Sequence, residues 1–448
     1  MIDREEVLKK ADELQVHTSY VQRDYIFGWI LAGIYSASDL GRFLILKGGN
    51  CFRKAYFDSA RYSPDLDFAA TDRVTPAHVA TELGRVCDFI NQRTGVLFFP
   101  ERTLVEPKTR VDGSLTVYEG RLYFRDFFGH ESQITLSIRL DITEFGKIFL
   151  PIQVRNLVHP YSDQIACVSQ LRCIKLEEML ASKLKCLLQR RHSADLYDFV
   201  YSTLVQPAIE VNRTEIVSTF LRMTIFGSGP GIVRELLFNL PFQTFRALWN
   251  QYLVQPITGA LDVEHAIAHF RSVIEEMFGR LPRRGGEQAF FPWNLRNPIL
   301  EAGHTMTLLR LTYDGATRLV EPYSLAYKTR KDGLSQEYFY AWDRIGGRTS
   351  GPGIKTFVHS KIQSLNNTDI KFEPRFEVEL SRVGEYSHKM YFQGRHGFRR
   401  LQAFSEARFV YECPVCSKHF YRKQANPRLN PHKDQYGNQC FGRVGMIT

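Results

Sequence analysis

The chain is expected to fold as an α+β protein of several domains, and three features carry that expectation. An apolar run, Phe43-Leu44-Ile45-Leu46, stops at Lys47-Gly48-Gly49 and gives way to helical spacing through Cys51, Phe52 and Ala55, which predicts a strand followed by a helix. The stretch 132–142 alternates strictly, with Ile134, Leu136, Ile138, Leu140 and Ile142 on one face and Thr135, Ser137, Arg139 and Asp141 on the other, as a half-buried strand requires. Beyond 281–287, where proline, glycine and charge cluster without periodicity, helical spacing is replaced by short strands and turns. With 448 residues and 44% hydrophobic composition, the chain holds enough material for two to four cores.

Taken in order, residues 3–14 have helical spacing, and the apolar segment Tyr25 to Tyr35 is too short to span a bilayer and is expected to be a buried helix. Met1-Ile2-Asp3-Arg4-Glu5-Glu6 lacks the basic, apolar and small-residue order of an export signal, so a cytoplasmic protein is expected, without a membrane partner. In Arg61-Tyr62-Ser63-Pro64-Asp65-Leu66-Asp67-Phe68 strand character returns. Alternation along a strand sends Asp65 and Asp67 to one side and Leu66 and Phe68 to the core, so two carboxylates share one face. Oxygen ligands so placed suit a divalent cation, Mg²⁺ or Mn²⁺; the alternative is a solvated or capping Asp-x-Asp beside an ordinary Gly-Gly turn. Glycines at the preceding turn open backbone N–H groups to phosphate at a helix N-terminus, and Ser63 is a further candidate phosphate contact. Asp141 is aimed like Asp65 and Asp67 and becomes a third carboxylate if its strand lies beside theirs; otherwise it is a polar residue on an exposed sheet face. From Lys175 to Gln189 a helical stripe of Leu176, Leu180, Leu184 and Leu187 or Leu188 places Lys183 at its edge, and a new helix starts near Asp195, whose carboxylate is placed to cap it, with Asp198 one turn on.

The stretches 46–56 and 61–68 resemble the signature of AbiEii-type nucleotidyltransferases, a toxin and abortive-infection branch of the polymerase-beta-like superfamily. The resemblance extends to Leu176-Glu177-Glu178-Met179-Leu180-Ala181-Ser182-Lys183-Leu184 and Ala194-Asp195-Leu196-Tyr197-Asp198-Phe199, so it covers about the first half of the chain. It implies an NTP substrate cradled by Lys47, Gly48, Gly49 and Ser63, metal held by Asp65 and Asp67, phosphate contact from Lys183, and a catalytic role for Asp141 and for Asp195 or Asp198. It also implies transfer of NMP to an RNA hydroxyl, notably a tRNA 3′ end, and an antitoxin or regulatory protein as partner.

Domain boundaries are expected at 1–210 for the nucleotidyltransferase core, 211–282 for a helical extension, 290–385 for a β domain and 386–448 for a metal-binding segment. Asp314-Gly315 is a hairpin-turn pair between strand-like runs. The segments 318–325, 338–344 and 356–362 resemble a WYL domain, which implies an SH3-like β-barrel, and aromatics interleaved with Arg318, Lys328, Arg330, Lys331, Arg344 and Arg348 suit base stacking with phosphate contact, or else form a barrel core with a basic rim.

From Arg283 onward, 26 Lys and Arg stand against 15 Asp and Glu, an excess of +11, whereas the rest of the chain sums to −1. A basic appendage on a near-neutral body points to a polyanion such as nucleic acid. Five cysteines, Cys51, Cys87, Cys167, Cys173 and Cys186, lie singly in apolar settings as buried thiols. The others gather as Cys413-Pro414-Val415-Cys416 and Cys440, near His419 and His432. Cys413, Cys416, His432 and Cys440 are the expected ligands of a structural Zn²⁺, a zinc knuckle, with His419 as substitute for His432; a disulfide or a redox Cys-x-x-Cys are the competing readings. Lys418, Arg422, Lys423, Arg428 and Lys433 surround it. The alternative to an enzyme is a nucleic-acid-sensing regulator that binds nucleotide without catalysis.

Overall fold

The computed structural model describes residues 2–108, 117–128, 135–204, 209–226, 230–281, 290–329, 335–347, 350–376 and 378–380, and in the C-terminal segment 409–413, 419–422, 427–433, 439–440, 444 and 446–447. The chain separates into two compact units, Met1–Glu385 and Tyr386–Thr448.

The first unit opens with α1 (Arg4–Leu14), where Asp3 accepts from the Glu6 N–H at 2.7 Å as N-cap, and α2 (Thr18–Ala37), buried from Val21 through Ile34. Apolar on all sides from Tyr25 to Ile34, α2 is a core helix. No helix among the described residues is long and apolar enough to cross a membrane.

Strand β1 (Leu44–Lys47) runs into α3 (Gly48–Cys51), which continues as one π turn to Tyr56. After β2 (Asp65–Ala70) come α4 (Pro76–Thr94), capped by Thr75 and closed by left-handed Gly95, then β3 (Leu104–Lys108), β4 (Val117–Arg125), β5 (Thr135–Glu144), β6 (Gln153–Asn156) and β7 (Gln170–Cys173). These make one mixed sheet in the order β3-β4-β5-β2-β1-β7-β6. The pairing of β2 with β5 is parallel and that of β1 with β2 antiparallel, so β2 lies at the centre. Of the predicted strand 132–142, residues 132–134 lie outside the described residues, and Ile138, Leu140 and Ile142 are buried as expected.

Helices α5 (Leu176–Gln189), α6 (Ser193–Leu204), α7 (Arg213–Met223), α8 (Gly231–Phe238), α9 (Phe242–Tyr252) and α10 (Val263–Phe278) follow, and their apolar faces join the sheet in one hydrophobic core that ends at Phe290. Most of the expected linker, residues 282–287, lies outside the described residues. A second core, Phe291 to Leu380, is built by α11 (Trp293–Thr305) on β8 (Thr307–Tyr313), β9 (Ala316–Thr329), β10 (Ser335–Asp343), β11 (Gly353–Phe357) and β12 (Ile362–Lys371). The predicted hairpin is present: Asp314 and Gly315, both at positive φ, join β8 to β9.

This sheet runs β11-β10-β9-β8-β12 and is antiparallel throughout. Its outer strands β11 and β12 do not pair with each other, so it is an open sheet covered by α11 and not the closed barrel expected. Tyr323, Phe339 and Phe357 are interior, while Arg318 and Arg344 pair with Asp343 and Glu321 at 2.5 and 2.8 Å. These aromatics are core and these two arginines carry acidic partners; Arg330, Lys331 and Arg348 lie outside the described residues. Cys51, Cys87, Cys167 and Cys173 are buried thiols, and Cys186 is partly exposed.

The second unit holds β13 (Phe409–Glu412) between β14 (His419–Arg422) and β17 (Met446–Ile447), and a short β15–β16 ladder (His432–Lys433 with Gln439–Cys440).

Candidate active site

Strand register assembles the acidic face. Asp67 is opposite Lys47 on β1 and Asp141 on β5, and Asp65 is opposite Arg139. Because the side-chain period of a strand is two, Asp65, Asp67, Arg139 and Asp141 share the face turned from the core, where Leu66 and Phe68 are buried.

The diglycine turn lies against these carboxylates. Gly48 has φ +74, and a Cβ there would come within 2.0 Å of Asp67 Oδ2; one at Gly49 would meet Ser63 Oγ at 2.4 Å and Arg61 Nη2 at 2.8 Å. Only glycine combines the left-handed backbone with that approach. Buried Asn50 ties the turn to the start of β2, its amide donating to the Asp65 carbonyl at 2.6 Å and the Ser63 carbonyl at 3.3 Å. Ser63 Oγ is 3.4 Å from Asp65 Oδ1, and Lys47 Nζ reaches Thr143 Oγ1 at 3.4 Å.

Side chains of the same sheet supply cations to the acids. Arg139 pairs with Asp65 and lies 3.8 Å from Asp141; Lys108 on β3 donates to both Asp141 oxygens at 3.0 and 3.1 Å and reaches Glu119 on β4 at 3.1 Å. Burial opposes ionisation of Glu119, but Lys108 and Arg121 outweigh it and hold its carboxyl below the usual range. Strand register puts the four acids Asp65, Asp67, Asp141 and Glu119 on one face, and carboxylate oxygens are the donors a hard divalent cation takes.

Behind the diglycine turn lies a buried ionic network. Lys183 on α5 reaches Asp195 at 3.0 Å and Asp198 at 2.7 Å, both on α6. Arg61 grips Asp198 with two bonds of 2.7 and 2.8 Å, and Arg190 grips Asp195 with two of 2.6 and 2.7 Å. Bidentate arginine–carboxylate pairs are the strongest of these contacts. Three cations face two anions, and Arg190 also feels the negative charge of Asp67. Burial pushes Lys183 down, but Asp198 and Asp195 overcome it and raise its pKa; burial pushes Asp195 up, but Arg190 and Lys183 hold its carboxyl well below the usual range.

The expected cap role of Asp195 is corrected. Its oxygens are taken by Lys183 and Arg190, and His192 Nδ1 instead accepts from the Ala194 N–H at 3.2 Å at the start of α6. Burial drives the pKa of His192 well below the usual histidine range, which fits a neutral ring with an accepting nitrogen.

Thus Lys47, Gly48, Gly49, Ser63, Asp65, Asp67 and Asp141 are gathered around one turn and face, and Lys183, Asp195 and Asp198 around one buried node. Sequence reasoning missed Arg61, Arg190, Asn50, Lys108 and Glu119. Arg139 had been placed on the acidic face without a role. In the second unit, Cys413, His432 and Cys440 are buried with one ligand atom each within 4.8 Å of the others; Cys416 lies outside the described residues, as does the side chain of His419.

The profile of the family described as nucleotidyl transferase AbiEii toxin, type IV TA (toxin–antitoxin) system, matches residues 29–267, more than half of the chain. The chain belongs to the AbiEii nucleotidyltransferase toxin family. The matched span contains both the acidic face and the buried network. Among solved structures, the nucleotidyltransferase toxin MenT4 (Rv2826c) from Mycobacterium tuberculosis H37Rv is similar at 19% identity over 62% of this chain and 88% of that one, with a TM-score of 0.39. A search of curated proteins gave no match.

Proposed function

We propose that this AbiEii-family chain is a cytoplasmic enzyme that transfers NMP from an NTP to a hydroxyl of RNA, a tRNA 3′ end being the leading candidate. The observation that carries the reading is the register that sets Asp67 between Lys47 and Asp141 while its carboxylate lies against Gly48.

Asp65, Asp67 and Asp141 would hold Mg²⁺ or Mn²⁺, which supplies charge neutralisation at the entering and leaving oxygens of an in-line displacement. The backbone N–H groups of the Gly48-Gly49 turn bind the triphosphate, and the Ser63 hydroxyl, beside Gly49, adds a donor. Lys183 spends two of its three N–H donors on Asp195 and Asp198, which fix its ammonium; the third is the donor we assign to phosphate. Arg61 and Arg190 hold those aspartates in place. The surplus of one positive charge in the network favours a polyanionic ligand at the turn.

The +11 excess beyond Arg283 supports RNA as acceptor, held by exposed basic residues of the C-terminal region and the WYL-like sheet. An antitoxin or the appended region itself restrains the activity. Incubation with each labelled NTP, Mg²⁺ and total RNA tests this. Label enters RNA with the wild-type chain and not with Asp65→Asn. Nucleotide binding without label transfer would favour the regulator, and shortened RNA would favour a nuclease.

A further inference from the structure

We infer that the C-terminal unit is organised by a zinc ion held by Cys413, His432 and Cys440, a site separate from the nucleotidyltransferase chemistry. Three observations converge on it.

The first is the sulfur separation. Cys413 Sγ and Cys440 Sγ lie 3.7 Å apart. A disulfide would bring them to about 2.05 Å. Two zinc–sulfur bonds of about 2.3 Å at the tetrahedral angle place the sulfurs about 3.8 Å apart. The observed spacing is that of two corners of one tetrahedron.

The second is the histidine. His432 Nδ1 lies 2.9 Å from the Asn430 carbonyl oxygen, which only accepts, so Nδ1 carries the proton and Nε2 keeps its lone pair. A ring nitrogen fixed by a backbone carbonyl is the usual outer-sphere support of a metal-bound imidazole. The Phe420 ring meets His432 edge to face at 4.8 Å between centroids and sets its plane. Strand register brings the donors together, since His432 and Cys440 are opposed in the β15–β16 ladder.

The third is the place of the ligands in the core. Among the described residues the core of this unit is Tyr411, Cys413, Leu429 and Cys440, with Phe420 against them. Two of those four are the proposed ligands. A metal tying these two cysteines to His432 would therefore cross-link the described core itself. On binding, each thiol loses its proton to solvent and Zn²⁺ takes two thiolates and one neutral imidazole, so zinc uptake releases two protons.

Elemental analysis of the full-length chain, purified in reductant without chelator, tests this. The wild-type chain carries about one zinc. Cys413→Ser and Cys440→Ser each lower zinc content to near zero, whereas Cys87→Ser, in the first unit, leaves it unchanged. Because the first two variants can unfold the C-terminal unit, the wild-type chain is also refilled with Co²⁺, where the visible bands of a tetrahedral thiolate complex are expected. A wild-type chain that retains no zinc and gives no such bands would overturn the inference. So would zinc that persists in both cysteine variants, or a Cys413–Cys440 disulfide in the wild-type chain.

Discussion

Asp65, Asp67 and Asp141 in the seven-stranded sheet and Glu321, Glu337 and Asp343 in the five-stranded sheet are the same kind of residue in the same kind of element. Their surroundings differ. The second set is fully enclosed at 0% exposure, and each acid has a dedicated arginine: Arg296 on Glu337, Arg318 on Asp343, and Arg344 with Arg375 on Glu321. The first set is partly open, with side-chain exposures of 14% for Asp65 and 13% for Asp141; these two share Arg139, and Asp141 also takes Lys108. Arginines committed to each enclosed acid build architecture, because an enclosed charge without its partner is costly. Acids that share cations on an accessible face are the arrangement the proposed metal binding requires.

If that contrast is right, substitutions in the two sheets separate activity from stability. Asp67→Asn lowers nucleotide transfer on the order of 1,000-fold while the melting temperature holds or rises, since it relieves repulsion among acids. Transfer kinetics and calorimetry on one preparation check this, and joint loss of fold and activity would erase the contrast. Arg296→Ala does the opposite. It strands Glu337 and removes donors to the Leu188 and Phe291 carbonyls, costing about 3–5 kcal/mol in a denaturant titration while folded molecules keep their transfer rate.

The network behind the turn is intermediate, being interior like the second set and charged in excess like the first. Lys183→Ala leaves Asp195 with Arg190 and Asp198 with Arg61, so stability falls by only about 1–3 kcal/mol, whereas transfer drops at least about tenfold. Equal losses in both would make the lysine architectural.

Acid sharpens the comparison further. Burial depresses the folded pKa of His192, so the unfolded chain takes up its proton first and stability is lost as pH falls below about 6.5. Urea midpoints at neutral and mildly acidic pH measure this, and His192→Gln flattens the dependence. The smallest effect is at the hairpin of the second sheet, where Gly315→Ala at φ +73 costs about 1 kcal/mol and leaves transfer unchanged.

How much of this was legible in the chain depends on the range of the interaction. The shared face of Asp65 and Asp67 follows from local alternation, and the Asp314-Gly315 turn from two adjacent residues. Asp141 beside Asp67 does not, because it requires β5 to pair in parallel with β2 across some seventy residues, a choice made by packing. Asp195 and Asp198 could not be told apart from helix spacing, and the structure uses both, on one lysine. Arg190 read as the end of a helix and Arg61 as the flank of a motif, since nothing local reveals that each closes a pair with α6. The acidic partners of Arg318 and Arg344 were hidden for a related reason. Interleaving with aromatics suggests a stacking surface, but the acids that neutralise those arginines lie on other strands or other turns.

Direct binding of Mn²⁺, followed by its paramagnetic resonance signal in the presence of a non-hydrolysable NTP analogue, tests the central claim that Asp65, Asp67 and Asp141 form one cation-binding set. Nucleotide-dependent binding is expected for the wild-type chain and for Glu321→Gln, with severe weakening in Asp65→Asn, Asp67→Asn and Asp141→Asn. Binding that is unchanged in the three aspartate variants would contradict it.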